Sequence, residues 1–289
     1  MSELHPSHRS HPRTLGEHLY VYAVLSRRAE GVSIGVNLSP HKGCNFDCTY
    51  CQVDRRTPAA VKTVDLGRLR DELAATFDLA RSGELLRDAR FAAAPEPLRV
   101  VADVALSGDG EPTNEPWFPE AARIVADERT RAGFTSLPYR IITNATTFHL
   151  PRVRDTLAEL DGHGLDVWGK LDAGTDAYYR MVDRTKFPFQ QVLDNLLDCA
   201  LRRPLTIQTL FARHHGDPPD TDELDAWAGR LSFLRERGGD VPWVQVHTVS
   251  RPPAESWVQP LSVDELEDAA RRARKALPEA RVVTYRGAD

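Results

Sequence analysis

Three of the chain's four cysteines stand within eight residues, in the run Cys44-Asn45-Phe46-Asp47-Cys48-Thr49-Tyr50-Cys51. The spacing, C-x3-C-x2-C, puts three soft thiolates on one short loop, the donor type that selects iron–sulfur clusters or zinc. A disulfide framework does not suit this count and clustering in a chain of 289 residues. Three thiolates leave a four-iron cluster with one iron lacking a protein ligand, so a small molecule can bind that metal directly. A ferredoxin that only carries electrons usually closes the position with a fourth Cys. Zinc in a structural site wants four ligands. His41 would complete a Cys3His set. Cys199 lies far along the chain in a helical pattern over 193–201, where a small buried Cys is the common finding.

A second polar run is Ser107-Gly108-Asp109-Gly110-Glu111-Pro112-Thr113. Its two glycines let a ligand approach the backbone, and Glu111 can accept hydrogen bonds from an ammonium group. Alone, such a stretch is an ordinary turn. Weaker candidates follow later apolar runs. Asn144 closes Ile141-Ile142-Thr143-Asn144 and reads equally as a turn former. Lys170 and Asp172 share one strand face, where they can pair with each other. Gln208 and Gln245 lie inside late strand patterns as candidate interior polar groups. Arg213, His214, His215 and Arg251 follow late strands and suit an anionic substrate, with solvated loop positions as the plainer reading. His5, His8 and His11 belong to a polar tail expected to be disordered over residues 1–16.

The elements that must position these groups repeat. Short apolar runs rich in Val, Ile and Leu mark strands over 32–38, 100–106, 139–143, 165–171, 205–210, 244–249 and 281–284, as in strands covered on both faces. Amphipathic helices fall between them. Asp65 caps a stripe of Leu66, Leu69, Leu73 and Phe77. Asp220 and Glu223 open a second helix, and Ser262 with Glu265 has the spacing of a capping box. The segment 83–99 reads as an insertion. About six βα units in succession predict an α/β fold with parallel strands, a partial (β/α)6 TIM-like barrel, forming one domain over 17–289. In such folds functional groups gather where strands end. The two polar runs sit there.

Composition narrows the function. A net charge of −5 argues against coating nucleic acid by bulk electrostatics. No stretch approaches the ~20 apolar residues of a membrane span, and a cytoplasmic protein is expected.

The cysteine run resembles the radical S-adenosylmethionine (SAM) superfamily, whose cluster motif is C-x3-C-x-aromatic-C, with Tyr50 as the aromatic. The run around Gly110-Glu111-Pro112 is similar to that family's Gly-Gly-Glu motif, although Asp109 separates the glycines here. The resemblance covers about residues 32–248. It implies that Cys44, Cys48 and Cys51 ligate three irons of a [4Fe–4S] cluster and that SAM binds the fourth. It implies further that Tyr50 borders the adenine and that Gly108, Gly110 and Glu111 hold the SAM amino group. Asn144 would face the SAM site and Asp172 would reach the ribose. The expected activity is reductive cleavage of SAM to a 5′-deoxyadenosyl radical that takes hydrogen from a substrate, with a flavodoxin- or ferredoxin-like electron donor. Within the superfamily the motifs are nearest to the tRNA-wyosine-synthase-like oxidoreductases. Only Cys199 remains for that group's second cluster, so its tRNA activity is not implied, and a small molecule, a peptide or a nucleotide stays open as substrate. The alternatives are a non-catalytic Fe–S electron carrier or sensor and a zinc-stabilised binding protein.

Overall fold

The structure, a computed structural model, describes residues 13, 15–253 and 255–287. The tail expected over 1–16 lies for the most part outside the described residues. The chain forms two compact units. The first takes the chain up to Cys44 with Arg55–Ile142 and His149–Asp166; the second takes Asn45–Asp54, Thr143–Phe148 and the chain from Val167.

In the first unit, β1 (Val21–Ser26) pairs antiparallel with β2 (Gly31–Val36). Then β3 (Val101–Leu106) and β4 (Tyr139–Thr143) follow in parallel, β3 on β2 and β4 on β3. Helix α1 (Leu66–Ser82) starts where the Asp65 side chain accepts from the Arg68 amide, and it stops at Gly83, whose φ is 76°. Its stripe Leu69, Leu73 and Phe77 is fully buried. Each such side chain contributes about 1.5–3 kcal/mol of burial free energy. The expected insertion forms two single turns, α2 (Glu84–Arg87) and α3 (Ala89–Ala92), before α4 (Phe118–Arg131) and α5 (Pro151–Leu160).

The second unit repeats the pattern. Strands β5 (Leu165–Lys170), β6 (Leu205–Leu210), β8 (Trp243–His247) and β10 (Arg281–Tyr285) pair in parallel, in that order. A small antiparallel ribbon joins β7 (Ala212–His214) to β9 (Val258–Pro260). The helices are α6 (Asp176–Asp183), α7 (Phe189–Arg202), α8 (Thr221–Glu236) and α9 (Val263–Ala276). Asp220 caps α8, and Ser262 with Glu265 closes the expected capping box on α9.

Alternating strands and helices with parallel neighbours in both units are the expected α/β, partial-barrel class. Strand β1 departs from the sequence reading. It is an antiparallel addition before the first βα unit, turned back through Glu30 at φ 61°. No described helix is long and apolar enough to cross a membrane.

Candidate active site

In the first unit, β2 runs into Asn37–Gly43, and the segment is fixed from both sides. Glu115 accepts from the Ser39 hydroxyl at 2.6 Å and from His41 Nε2 at 2.9 Å, while His41 Nδ1 accepts the Gly43 amide at 2.9 Å. Both ring nitrogens are thus engaged, with the tautomer assigned from this network. His41 could complete a zinc set only by giving up one of these bonds.

The loop after β3 packs directly on that segment. A Cβ added to Gly110 would stand 2.6 Å from Ser39 Cβ and would overlap the Gly43 carbonyl oxygen. One added to Gly108 would stand 2.8 Å from Asn37 Cγ. Gly110 is therefore required by the close approach of two backbones, and Gly108 by its packing against Asn37. Asp109 accepts from Asn37 Nδ2 at 2.8 Å and pairs with Arg13. Glu111 is buried, and its Oε1 accepts the Thr113 amide at 3.0 Å as well as the Thr113 hydroxyl.

The second unit holds the rest of the cysteine loop by its non-cysteine residues. The Asp47 amide donates to the Asp183 carbonyl at 3.1 Å and the Thr49 amide to the Val182 carbonyl at 2.8 Å. Asn45 donates to Thr146 Oγ1 and accepts from Asn144 Nδ2, both at 2.8 Å. The Thr49 hydroxyl meets His214 Nε2 at 2.9 Å, and Phe46 packs edge-on against Tyr179. None of the four cysteines is in a disulfide.

Beneath this loop lies a buried polar cluster. The Tyr50 hydroxyl donates to Asp172 and lies 3.4 Å from Asp183 Oδ1, and the Cys48 thiol donates to that same oxygen at 3.3 Å. Lys170 Nζ stands 2.9 Å from Asp172 Oδ2 and 5.1 Å from the centre of the Tyr50 ring. Asp172 Oδ1 also accepts the Leu210 amide at 2.7 Å. Burial pushes the Asp183 carboxyl up to about 8; Asp172 beside it adds to the rise and Lys170 opposes it. Burial likewise raises the Cys48 thiol, with the charge of Asp183 adding to it, and the Tyr50 phenol, with Asp172 adding.

The sequence candidates thus fall into two sets. Gly108, Gly110 and Glu111 belong to the first unit; Tyr50, Asn144 and Asp172 belong to the second. Gln208 and Gln245 bond to each other, and Cys199 is buried within α7. His214 holds the cysteine loop, while Arg213 pairs with Glu265 and His215 stacks on Trp257. Sequence reading missed Asp183, Thr49 and Asn45. Only the motif around the last two marked their place, and nothing in the sequence marked Asp183.

The donor chemistry fits an iron–sulfur cluster. The anchors of the loop backbone come from Asn45, Asp47 and Thr49, and Cys48 turns its thiol onto the Asp183 carboxyl. Among the described residues no three His, Cys, Asp or Glu side chains converge on a single-ion position.

The sequence profile of the Radical SAM superfamily matches residues 38–223. Curated relatives include a UPF0026 protein of Helicobacter pylori, 26% identical over 251 residues, which are 84% of this chain and 70% of that protein. A UPF0026 protein of Methanocaldococcus jannaschii is 26% identical over 247 residues, 83% of this chain and 66% of its own length. The chain therefore spans about two thirds of the length of these relatives. Among solved structures, a radical SAM methyltransferase from Sphaerobacter thermophilus aligns with a TM-score of 0.61 at 14% identity, over 93% of this chain and 70% of that one. TYW1 with a bound lysine–pyruvate adduct aligns with a TM-score of 0.54 at 15% identity, over 91% of this chain and 85% of that one. At these identities the likeness is one of fold.

Proposed function

The chain belongs to the radical SAM superfamily, and on that footing we propose that Cys44, Cys48 and Cys51 each ligate one iron of a [4Fe–4S] cluster. The family's cofactors are that cluster and SAM. When bound, they supply one-electron cleavage of the sulfonium bond, giving methionine and a 5′-deoxyadenosyl radical that takes hydrogen from a substrate.

The observation that carries the assignment is the anchoring of the cysteine loop through Asn45, Asp47 and Thr49, which fixes the backbone without using a thiol. The chain's own groups divide the remaining work. Gly108 and Gly110 allow the loop after β3 to lie flat against Ser39–Gly43, so its backbone carbonyls can receive the SAM amino group, with Glu111 beside them. Asn144 orients Asn45 next to Cys44. Tyr50 borders the adenine. Asp172 is assigned to positioning Tyr50 rather than to the ribose, because its oxygens are engaged by Tyr50, Lys170 and the Leu210 amide. Cys199, buried in α7, is assigned no iron. The protein works in the cytoplasm on an external low-potential donor, a flavodoxin or ferredoxin.

Anaerobic reconstitution with iron and sulfide, followed by metal and sulfide analysis, tests the ligand set. Four irons and four sulfides per chain, with charge-transfer absorption near the visible edge, are expected. A single zinc per chain and no bound sulfide would refute the assignment.

A further inference from the structure

Lys170, Gln208 and Gln245 stand at one register level on β5, β6 and β8, Lys170 opposite Gln208 and Gln208 opposite Gln245. Residues in register on neighbouring parallel strands project from the same face. The other face is covered by helix. There a Cβ on Gly169 would stand 2.6 Å from Leu196 of α7, and Ile207 and Val244 are fully buried. The Lys–Gln–Gln row therefore faces away from α7, on the side where Lys170 meets the Tyr50 ring.

The amides in this row are incompletely used. Gln208 Nε2 donates to Gln245 Oε1 at 3.0 Å. Gln245 is 0% exposed, and its Nε2 has no hydrogen-bond partner. With the two side-chain amides assigned by this bond, the NH2 of Gln245 is left unspent. Buried donors are almost always paired, because leaving one unpaired is costly, and two leucines would fill this volume without that cost. An amide pair kept here in spite of the cost points to a ligand that completes it. The row's one cation, Lys170, is already paired with Asp172 at 2.9 Å. An incoming anion would find no uncommitted cation in the row. An uncharged acceptor fits.

We propose that Gln245, held in place by Gln208, receives an uncharged carbonyl oxygen of the substrate on the face shared with Tyr50. This rests on the proposed function only in taking that face for the substrate side. It narrows the substrate to one that presents an amide, ketone or nucleobase carbonyl rather than a carboxylate or phosphate at this point.

The test needs neither iron nor SAM, so a failure to load the cluster would leave its outcome readable, and the reverse holds too. Saturation-transfer NMR on the full chain compares acetamide with acetate, which has the same shape and carries a charge. Transfer to acetamide and none to acetate is expected. The signal should vanish in Gln208→Leu/Gln245→Leu, and the Tm of that double variant should rise by about 2–4 °C as the unpaired donor is removed. Gln245→Glu, which keeps the volume and exchanges the NH2 for an acceptor, should also lose acetamide while its circular dichroism is unchanged. Absence of acetamide transfer, preference for acetate, a signal that survives either variant, or a lowered Tm in the double variant would each overturn the proposal.

Discussion

The loop after β3 and the inner face of the late strands use polar residues in opposite ways. In the loop the motif side chains are spent on the protein. Asp109 holds Asn37 and Arg13, Glu111 holds Thr113, and the two glycines are dictated by the segment packed against them. On the inner face of the second unit, Gln245 is fully buried with a donor left over. The first arrangement builds a fixed backbone shape, and in our proposal its carbonyls receive the SAM amino group. The second offers side chains, which differ more freely from one protein to another. A cofactor common to a whole superfamily suits the first kind of site, and a substrate particular to one protein suits the second.

The largest break in this picture would come from the cysteines. Cys48→Ala should abolish cluster loading, read as iron and sulfide per chain, because it leaves two thiolates for three irons. Retention of a full iron complement would remove Cys48 from the ligand set.

Next in size is Gly110→Ala. The added methyl overlaps the Gly43 carbonyl oxygen and presses on Ser39, and such overpacking costs about 1–3 kcal/mol. Urea denaturation should show the loss, and SAM affinity should fall with it. A variant as stable as the parent would mean that the two loops separate easily and that the glycine serves the ligand alone.

Glu111→Ala should cost a comparable or smaller amount, about 1–3 kcal/mol, because the buried Thr113 amide loses its acceptor. Calorimetric titration of the reconstituted protein should show weaker SAM binding with the cluster still present. Unchanged SAM affinity would confine Glu111 to a structural role.

The smallest effect belongs to Cys199→Ala. Loss of one buried sulfur from α7 should cost about 1 kcal/mol in thermal or chemical unfolding and should leave iron loading intact. Loss of iron in this variant would redraw the ligand set.

What the sequence made legible was local. Asp65, Asp220 and Ser262 announce helix starts because a cap is read from residues three apart, and each caps its helix as expected. The positions of β2, β3, β4, β5, β6, β8 and β10 were legible from apolar runs, with ends displaced by at most two residues, whereas the three-residue strands β7 and β9 are too short for such a signal. Strand β1 was not legible either, because its polar turn, Arg27-Arg28-Ala29-Glu30, separates it from the βα repeat that organises the rest. The motif residues were legible as a set, and the pairing of Lys170 with Asp172 followed from their shared strand face. The partners that fix the site were not. Asn37 with Asp109, Asn45 with Asn144, Thr49 with His214 and Cys48 with Asp183 join residues 72 to 165 positions apart, and no local pattern encodes such pairs. The Gln208–Gln245 bond needed the register of two strands, which hydrophobic periodicity alone leaves open.

The central claim is that the cysteine loop supports reductive cleavage of SAM. The reconstituted protein is reduced with dithionite under anaerobic conditions in the presence of SAM, and 5′-deoxyadenosine is measured by chromatography, with Cys48→Ala as the parallel control. Formation of 5′-deoxyadenosine by the parent protein and none by the variant is the expected result. No product above the Cys48→Ala background would contradict it.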